Sequence, residues 1–344
     1  MLGGKRIRVL VVDDSMVFRE VLARGISSDL GIDVVATAGD PFEARDKILQ
    51  YRPDVMTCDV EMPKMNGIEF IRRLLPQYPL PVIVVSSVSS AVFDTMNVGA
   101  VDFVVKPYVQ SPNSVENFLE EMIAKIKIAA NAKVLRGKTE ELLPQIQQSQ
   151  NLTPLHNIIA FGSSTGGTEA LYKIFKALPA NIPGMVVVQH IPPVFSRMFA
   201  ERLNANTALR VKEAQTGDRV EQGQVLIAPG DRHMKVKKSG DGYFVECFAG
   251  NKVNGHCPSV DILFESVAKE AGKKAIGVIL TGMGYDGAKG LLAMRQAGAK
   301  TLGQDENSSV VYGMPKVAYN IGAVEKQLPL ERIAENLYAL LSRK

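Results

Sequence analysis

A serine flanked by glycines, in Gly162-Ser163-Ser164-Thr165-Gly166-Gly167, follows the apolar run Ile158-Ile159-Ala160-Phe161. Glycines at a strand-to-helix turn let the backbone bend sharply and leave amides free at a helix N-terminus. Such a loop could cradle a phosphate, but no Lys-Ser/Thr follows and the G-x-x-x-x-G-K spacing is missing. It does fit G-x-S-x-G, which exposes a serine beside amides that stabilise an oxyanion. Taken alone, the motif is equally a tight turn of small residues. Two further strand ends give it company. Met185-Val186-Val187-Val188-Gln189 ends in His190, and Ile276–Leu280 leads into Thr281-Gly282-Met283-Gly284-Tyr285-Asp286-Gly287. A strand-end histidine is commonly polar packing, and an aspartate ahead of a helix is commonly an N-cap, a role Asp286 can combine with chemistry. Gathered at one sheet edge, the three suit acyl transfer. Ser164 is a weak nucleophile unless His190 removes its proton. Asp286 would hold the tautomer of His190 and stabilise its imidazolium. Amides near Thr165 and Met283 are the candidates for an oxyanion hole. The order Ser…His…Asp differs from the Ser…Asp…His order of α/β-hydrolases, so the motif does not imply that fold.

A second set of residues is acidic. Asp13 and Asp14 stand where Ile7–Val12 ends, and Asp59 closes Val55-Met56-Thr57-Cys58. Converging carboxylates repel one another unless a divalent cation neutralises them, and an oxygen-only set points to Mg²⁺. Ser86, ending Val82–Ser86, can donate to a phosphoryl oxygen, and Lys106, ahead of Pro107, supplies a positive charge. Each residue alone reads as an ordinary loop acid, hydroxyl or surface lysine. Their coincidence at strand ends is what carries the reading.

The elements that must position these side chains form two alternating patterns. Strands are expected at Ile7–Val12, Val34–Ala36, Val55–Cys58, Val82–Ser86 and Asp102–Val105, with helices over about Ser15–Ser27 and Val115–Ala130. Continuous apolar strands between helices imply a parallel sheet buried on both faces. A second series has strands at Ile158–Gly162, Met185–Gln189, Val225–Ala228 and Ala275–Leu280. Its helices are expected over Thr168–Leu178, Val194–Asn204, Gly287–Ala297 and Leu330–Leu341, with a hairpin turning at Gly240-Asp241-Gly242. Between the two, Gln145–Asn151 is polar and low in complexity, as expected of a linker.

At 344 residues, 46% hydrophobic and 22% charged, the chain suits two soluble domains. A formal charge of +4, with basic and acidic residues interspersed, argues against nucleic acid as a partner. No apolar run reaches the roughly 18–20 residues that span a bilayer. Met1–Arg6 leads straight into a strand pattern, so no cleavable signal is expected. Cys58, Cys247 and Cys257 form no CxxC pair and read as reduced thiols of a cytoplasmic protein, without zinc.

Residues 5–126 resemble a two-component receiver domain through Val11-Val12-Asp13-Asp14-Ser15, Cys58-Asp59-Val60-Glu61-Met62-Pro63, Asn66-Gly67, Ser86 and Lys106-Pro107. The resemblance implies a flavodoxin-like (βα)5 fold with Asp59 as phosphoacceptor. It makes Asp14 and Asp59 Mg²⁺ ligands, with the Glu61 carbonyl and, through water, Asp13. Phe103 matches the aromatic position that repacks when Ser86 moves toward the phosphoryl group. After a linker at 127–155, residues 156–344 resemble the catalytic domain of the chemotaxis protein-glutamate methylesterases. The matching stretches are Gly162–Ala170, Gln189-His190-Ile191-Pro192, Ala228–Met234, Pro258-Ser259-Val260-Asp261 and Leu280–Gly287. This implies a doubly wound, mainly parallel α/β domain without a cofactor. It also implies hydrolysis of glutamate 5-O-methyl esters on chemoreceptors, deamidation of receptor glutamines, and control by a chemotaxis histidine kinase. Cys257 stands where the family's motif has arginine, a departure that bears on receptor preference. His233 and His256 are left without a chemical role and read as structural polar residues. The rival expectation is a receiver joined to a binding or scaffold module that hydrolyses nothing.

Overall fold

A computed structural model describes residues 5–87, 91–107, 114–134 and 158–342. The chain divides into two compact units, residues 1–139 and 140–344. Most of the stretch expected as a linker, including Gln145–Asn151, lies outside the described residues.

The first unit alternates five strands with five helices: β1 (Ile7–Val12), α1 (Met16–Ile26), β2 (Ile32–Ala38), α2 (Pro41–Tyr51), β3 (Val55–Asp59), α3 (Gly67–Leu74), β4 (Val82–Ser86), α4 (Ala91–Asn97), β5 (Asp102–Val105) and α5 (Ser114–Ala129). The strands are all parallel, in the order β2-β1-β3-β4-β5. Their central runs, such as Val9–Val12 and Val82–Val85, are buried because helices cover both faces. Helix starts follow local chemistry. Asp40 accepts from the amides of Phe42 and Glu43, each at 2.9 Å, with Pro41 in the first turn of α2. Asn66 caps α3 through the Glu69 amide at 2.9 Å. Helix α5 ends at Ala129, close to the end expected for the helix over Val115–Ala130, with Ile126 and Ala129 buried.

The second unit contains β6 (Ile158–Ser163), α6 (Gly167–Ala177), β7 (Gly184–Gln189), α7 (Phe195–Asn206), β8 (Arg210–Glu213), β9 (Gln224–Ile227), β10 (His233–Ser239) and β11 (Gly242–Phe248). It continues with α8 (Val260–Ala271), β12 (Ala275–Ile279), α9 (Ala288–Gln296), β13 (Lys300–Gln304), α10 (Met314–Asn320), β14 (Lys326–Leu328) and α11 (Leu330–Ser342). Seven parallel strands run β14-β13-β12-β6-β7-β9-β8, and β10 and β11 form a separate antiparallel pair. Strands β8, β13 and β14 and helices α8 and α10 go beyond the sequence expectation. Arg210-Val211-Lys212-Glu213 is a charged, short edge strand. Lys300-Thr301-Leu302-Gly303-Gln304 carries too few apolar side chains to read as buried, yet Thr301 and Gln304 lie wholly inside.

In both sheets the chain reverses its strand order beside the first strand laid down, and ligands of open α/β sheets bind at such points. In the first sheet this lies between β1 and β3, and in the second beside β6, with β12 and β7 as its neighbours. Asp13 and Asp59 flank the first point. Ser164, His190 and Asp286 follow the ends of β6, β7 and β12.

The turn after β3 depends on Gly67, because a Cβ there would lie 2.1 Å from the backbone oxygen of Asp59. Gly67→Ala is expected to destabilise the first unit by about 1–3 kcal/mol through forced backbone displacement. A lowered midpoint in urea denaturation of the full chain checks this.

Candidate active site and acidic pocket

Ser164 leaves β6 with its main chain fixed on two sides. Its amide donates to the Thr281 carbonyl at 3.0 Å, and its carbonyl accepts from Gln189 Nε2 at 2.9 Å. The same Gln189 amide donates to the His190 carbonyl at 3.0 Å, and its Oε1 accepts from Ser163 Oγ at 2.6 Å. One buried glutamine therefore ties the ends of β6 and β7 together. The loop after β12 lies directly against the serine. A Cβ on Gly282 would come within 2.7 Å of Ser164 Cβ and 2.4 Å of Met314 Sδ. Thr281 Oγ1 donates to the Thr165 carbonyl at 3.0 Å, holding the loop down. The Met283 amide has no acceptor among the described residues. The Ser164 side chain is half-buried.

His190 Nε2 lies 2.8 Å from Asp286 Oδ2. Its Nδ1 is buried and has no partner among the described residues, and no hydrogen bond joins it to Ser164. In the neutral imidazole, a hydrogen bond from Nε2 to an ionised Asp286 leaves the lone pair on Nδ1. Catalytic hydrogen bonds often close only when substrate is bound.

Asp286 itself is heavily supported. Its Oδ2 also accepts from the Val260 amide at 2.7 Å. Its Oδ1 accepts from Ser259 Oγ at 2.8 Å, Asn254 Nδ2 at 2.9 Å and the Asp261 amide at 3.2 Å. The aspartate thus caps α8, from across the sheet end, instead of the helix α9 that follows it in sequence. Gly287, at φ +90°, turns the chain so that the side chain cannot reach back. Asp261 returns the exchange, accepting from the Gly290 amide of α9 at 2.7 Å. Burial would raise the Asp286 carboxyl, but the hydrogen bond and charge of His190, with Asn254 and the Val260 amide, hold it well below the usual range. Asp261 has no such histidine partner, and burial pushes its carboxyl up.

Sequence reasoning passed over Gln189, Asn254, Ser259 and Asp261 as site residues. The signals were the Asn254-Gly255 pair, a turn former, and Ser259, a helix-start residue ahead of an apolar run. His233 acts structurally: Nδ1 accepts from the Ser259 amide at 3.2 Å and Nε2 donates to the Asn251 carbonyl at 2.9 Å. His256 is not peripheral, since its ring stacks on His190.

In the first unit, ligand atoms of Asp13, Asp14 and Asp59 lie within 4.8 Å of one another. Lys106 Nζ lies 2.7 Å from Asp59 Oδ2 and 2.9 Å from Asp13 Oδ2, and 4.8 Å from the centre of the Phe18 ring. Burial pushes the Asp59 carboxyl up against the pull of Lys106, with the Asp13 charge adding to the rise. Lys106 is pushed up, burial notwithstanding, by its bonds to Asp59 and Asp13. One lysine against three carboxylates leaves the pocket with excess negative charge, so its donor set fits a hard divalent cation. The Ser86 hydroxyl is buried at the end of β4 without a partner among the described residues. The Glu61 amide donates to Asp59 Oδ1 at 3.3 Å. Phe103 is buried edge-on to Phe93, at 6.3 Å between ring centres.

The first sheet and its pocket define a response regulator, and residues 9–135 match the response regulator receiver domain model. Residues 159–337 match the CheB methylesterase model, and the chain belongs to that family. It is 57% identical over 342 residues to protein-glutamate methylesterase/protein-glutamine glutaminase 2 of Syntrophomonas wolfei subsp. wolfei, covering 98% of this chain and 99% of that one. It is 50% identical over 349 residues to the protein-glutamate methylesterase/protein-glutamine glutaminase of Syntrophotalea carbinolica, covering 99% of each. The crystal structure of the Thermotoga maritima CheB methylesterase catalytic domain superposes with a TM-score of 0.53 at 40% identity, covering 54% of this chain and 98% of that one. The two-domain, mainly parallel α/β architecture expected from sequence is the architecture found. No helix among the described residues is long and apolar enough to cross a membrane.

Because the folded state holds Asp286 below its ordinary pKa, its stabilisation is complete above the ordinary carboxylate value of about 4 and is lost as pH falls through and below it. Thermal melts of Asp286→Asn and the parent should therefore differ most near neutrality and converge in acid.

Proposed function

We propose that this chain is a phosphorylation-activated serine hydrolase acting in the cytoplasm. It demethylates glutamate 5-O-methyl esters on chemoreceptors and deamidates receptor glutamines. The observation that carries the reading is the buried His190–Asp286 pair, at 2.8 Å, on strand ends that flank Ser164. Residues 5–126, 127–155 and 156–344 serve as receiver, linker and catalytic domain.

Ser164 Oγ attacks the ester carbonyl while His190 takes its proton at Nδ1, the nitrogen not engaged by Asp286. Asp286 stabilises the imidazolium and keeps its own charge. The amides of Thr165 and Met283 receive the oxyanion. His190 returns the proton to the departing methoxide, methanol leaves, and a glutamyl ester of Ser164 remains. Water, deprotonated by His190, attacks that ester and frees the glutamate carboxylate and the serine. With a glutamine substrate ammonia leaves instead, through the same acyl intermediate. This half of the chain uses no cofactor.

Asp59 accepts a phosphoryl group from a chemotaxis histidine kinase. Asp14 and Asp59, with the Glu61 carbonyl and Asp13, would hold Mg²⁺, which neutralises phosphoryl oxygens when bound. Lys106 supplies the protein's own positive charge, Ser86 donates to a phosphoryl oxygen, and Phe103 repacks behind it. Coupling of 1–3 kcal/mol would alter esterase activity by about 5–150-fold.

Methanol release from methylated receptor membranes tests the enzyme half. Ser164→Ala and His190→Ala are each expected to lose on the order of 10³-fold or more and to escape acylation by a fluorophosphonate probe. Retained function in Ser164→Ala would point to a binding module instead. For the switch, acetyl phosphate should raise the parent's activity, and neither Asp59→Asn nor the EDTA-treated parent should respond. A response in Asp59→Asn would exclude Asp59 as acceptor.

A further inference from the structure

The loop ahead of α8 is built around a two-residue turn. Val253 and His256 exchange backbone hydrogen bonds, both at 2.9 Å, across Asn254 at φ +53° and Gly255 at φ +84°. Consecutive left-handed residues are what a tight hairpin turn with the strand's own twist requires, and Asn-Gly suits them. From this turn two side chains reach the His190–Asp286 pair. Asn254 Nδ2 bridges Asp286 Oδ1 at 2.9 Å and Asp261 Oδ2 at 2.7 Å. The His256 ring lies flat on the His190 ring, with centres 3.7 Å apart and planes 10° from parallel.

His190 is held at one nitrogen only, since Nδ1 has no partner among the described residues. A single N–H···O contact fixes one edge of an imidazole and leaves the ring free to swing about that contact. A flat partner on its face removes this freedom. We propose that His256 is a positioning residue for the acyl transfer: its ring, stacked on His190, fixes the plane of the imidazole and so the direction in which Nδ1 presents its lone pair. The inference rests on the hydrolase reading above and adds a fourth side chain to it.

Charge is consistent with that task. Burial first, then the nearness of His190 and Lys252, pushes the His256 imidazole down to about 4, against the pull of Asp286. At neutral pH the stacked ring is uncharged, and its face meets the His190 imidazolium without repulsion when the Ser164 proton arrives. A histidine that kept its ordinary pKa would place a second cation there in mildly acid solution. The stack does not relay the proton, because parallel rings offer no N–H···N line between them.

Steady-state methanol release from methylated receptor membranes, by the full chain activated with acetyl phosphate, compares His256→Leu, His256→Gln and His256→Phe. Leu and Gln remove the flat face, the second keeping polarity, and Phe keeps it without a titratable nitrogen. Misplacement of His190 should cost the Leu and Gln variants about 10–100-fold in kcat, with KM held within about twofold. The Phe variant should recover to within about threefold of the parent, which a merely structural loop residue would not predict. Should Leu prevent folding, judged by thermal melting, Gln against Phe makes the same comparison. An unchanged kcat in Gln, or a Phe variant as impaired as Gln, overturns the proposal. A parent chain that neither releases methanol nor is acylated by the fluorophosphonate sinks the hydrolase reading and this one together. An active parent indifferent to position 256 sinks only this one.

Discussion

The catalytic unit turns on one buried carboxylate. Asp286 lies among the first amides of α8, where partial positive charge gathers, and also receives Ser259, Asn254 and His190. An ionised carboxylate deep in a protein is costly unless its lone pairs are filled, and here five donors fill them. The same bonds fasten the start of α8 to the loop after β12, and so fasten His190 to the sheet end that carries Ser164. Asp261, answering from α8 to the Gly290 amide, locks the two helix starts to each other. Removing the carboxylate would free a histidine and leave a helix start uncapped. Orientation for chemistry and anchoring of the fold are here one set of contacts.

That arrangement explains what sequence could and could not disclose. The sheet was legible because Ile158–Phe161, Met185–Val188 and Ala275–Ile279 are unbroken apolar runs, the mark of strands covered on both faces. Ser164, His190 and Asp286 stood out as candidates because each lies beyond the end of such a strand, and the structure places them after β6, β7 and β12. The edges were not. Strand β13 is polar in composition and buried by its neighbours, and β8 is charged because it lies at a rim. Nor was the supporting shell. The Asn-Gly turn at 254–255 is local, but that its Asn254 and His256 reach the pair is not, since no local pattern encodes a ring stack between residues 190 and 256. Asp286 reads as a cap for the helix after it. The cap position of α9 is taken by Gly287, and the Asp286 side chain instead accepts from the start of α8.

The two halves place their acids at the same topological position and treat them in opposite ways. Both Asp59 and Asp286 follow buried parallel strands beside a reversal of strand order, and both are almost wholly buried. Asp286 accepts from five groups and is held low. Asp59 accepts from Lys106 and, at 3.3 Å, from the Glu61 amide, and is pushed up by burial beside Asp13. The difference is not depth but the count and charge of donors. A carboxylate saturated with donors has no lone pair to offer an electrophile and serves to aim a neighbour. One left short, as Asp59 is, sits in a pocket with surplus negative charge beside Asp13 and Asp14, and the Ser86 hydroxyl has no partner among the described residues. Donor supply therefore sets the two buried aspartates apart, on sheets of the same kind within one chain.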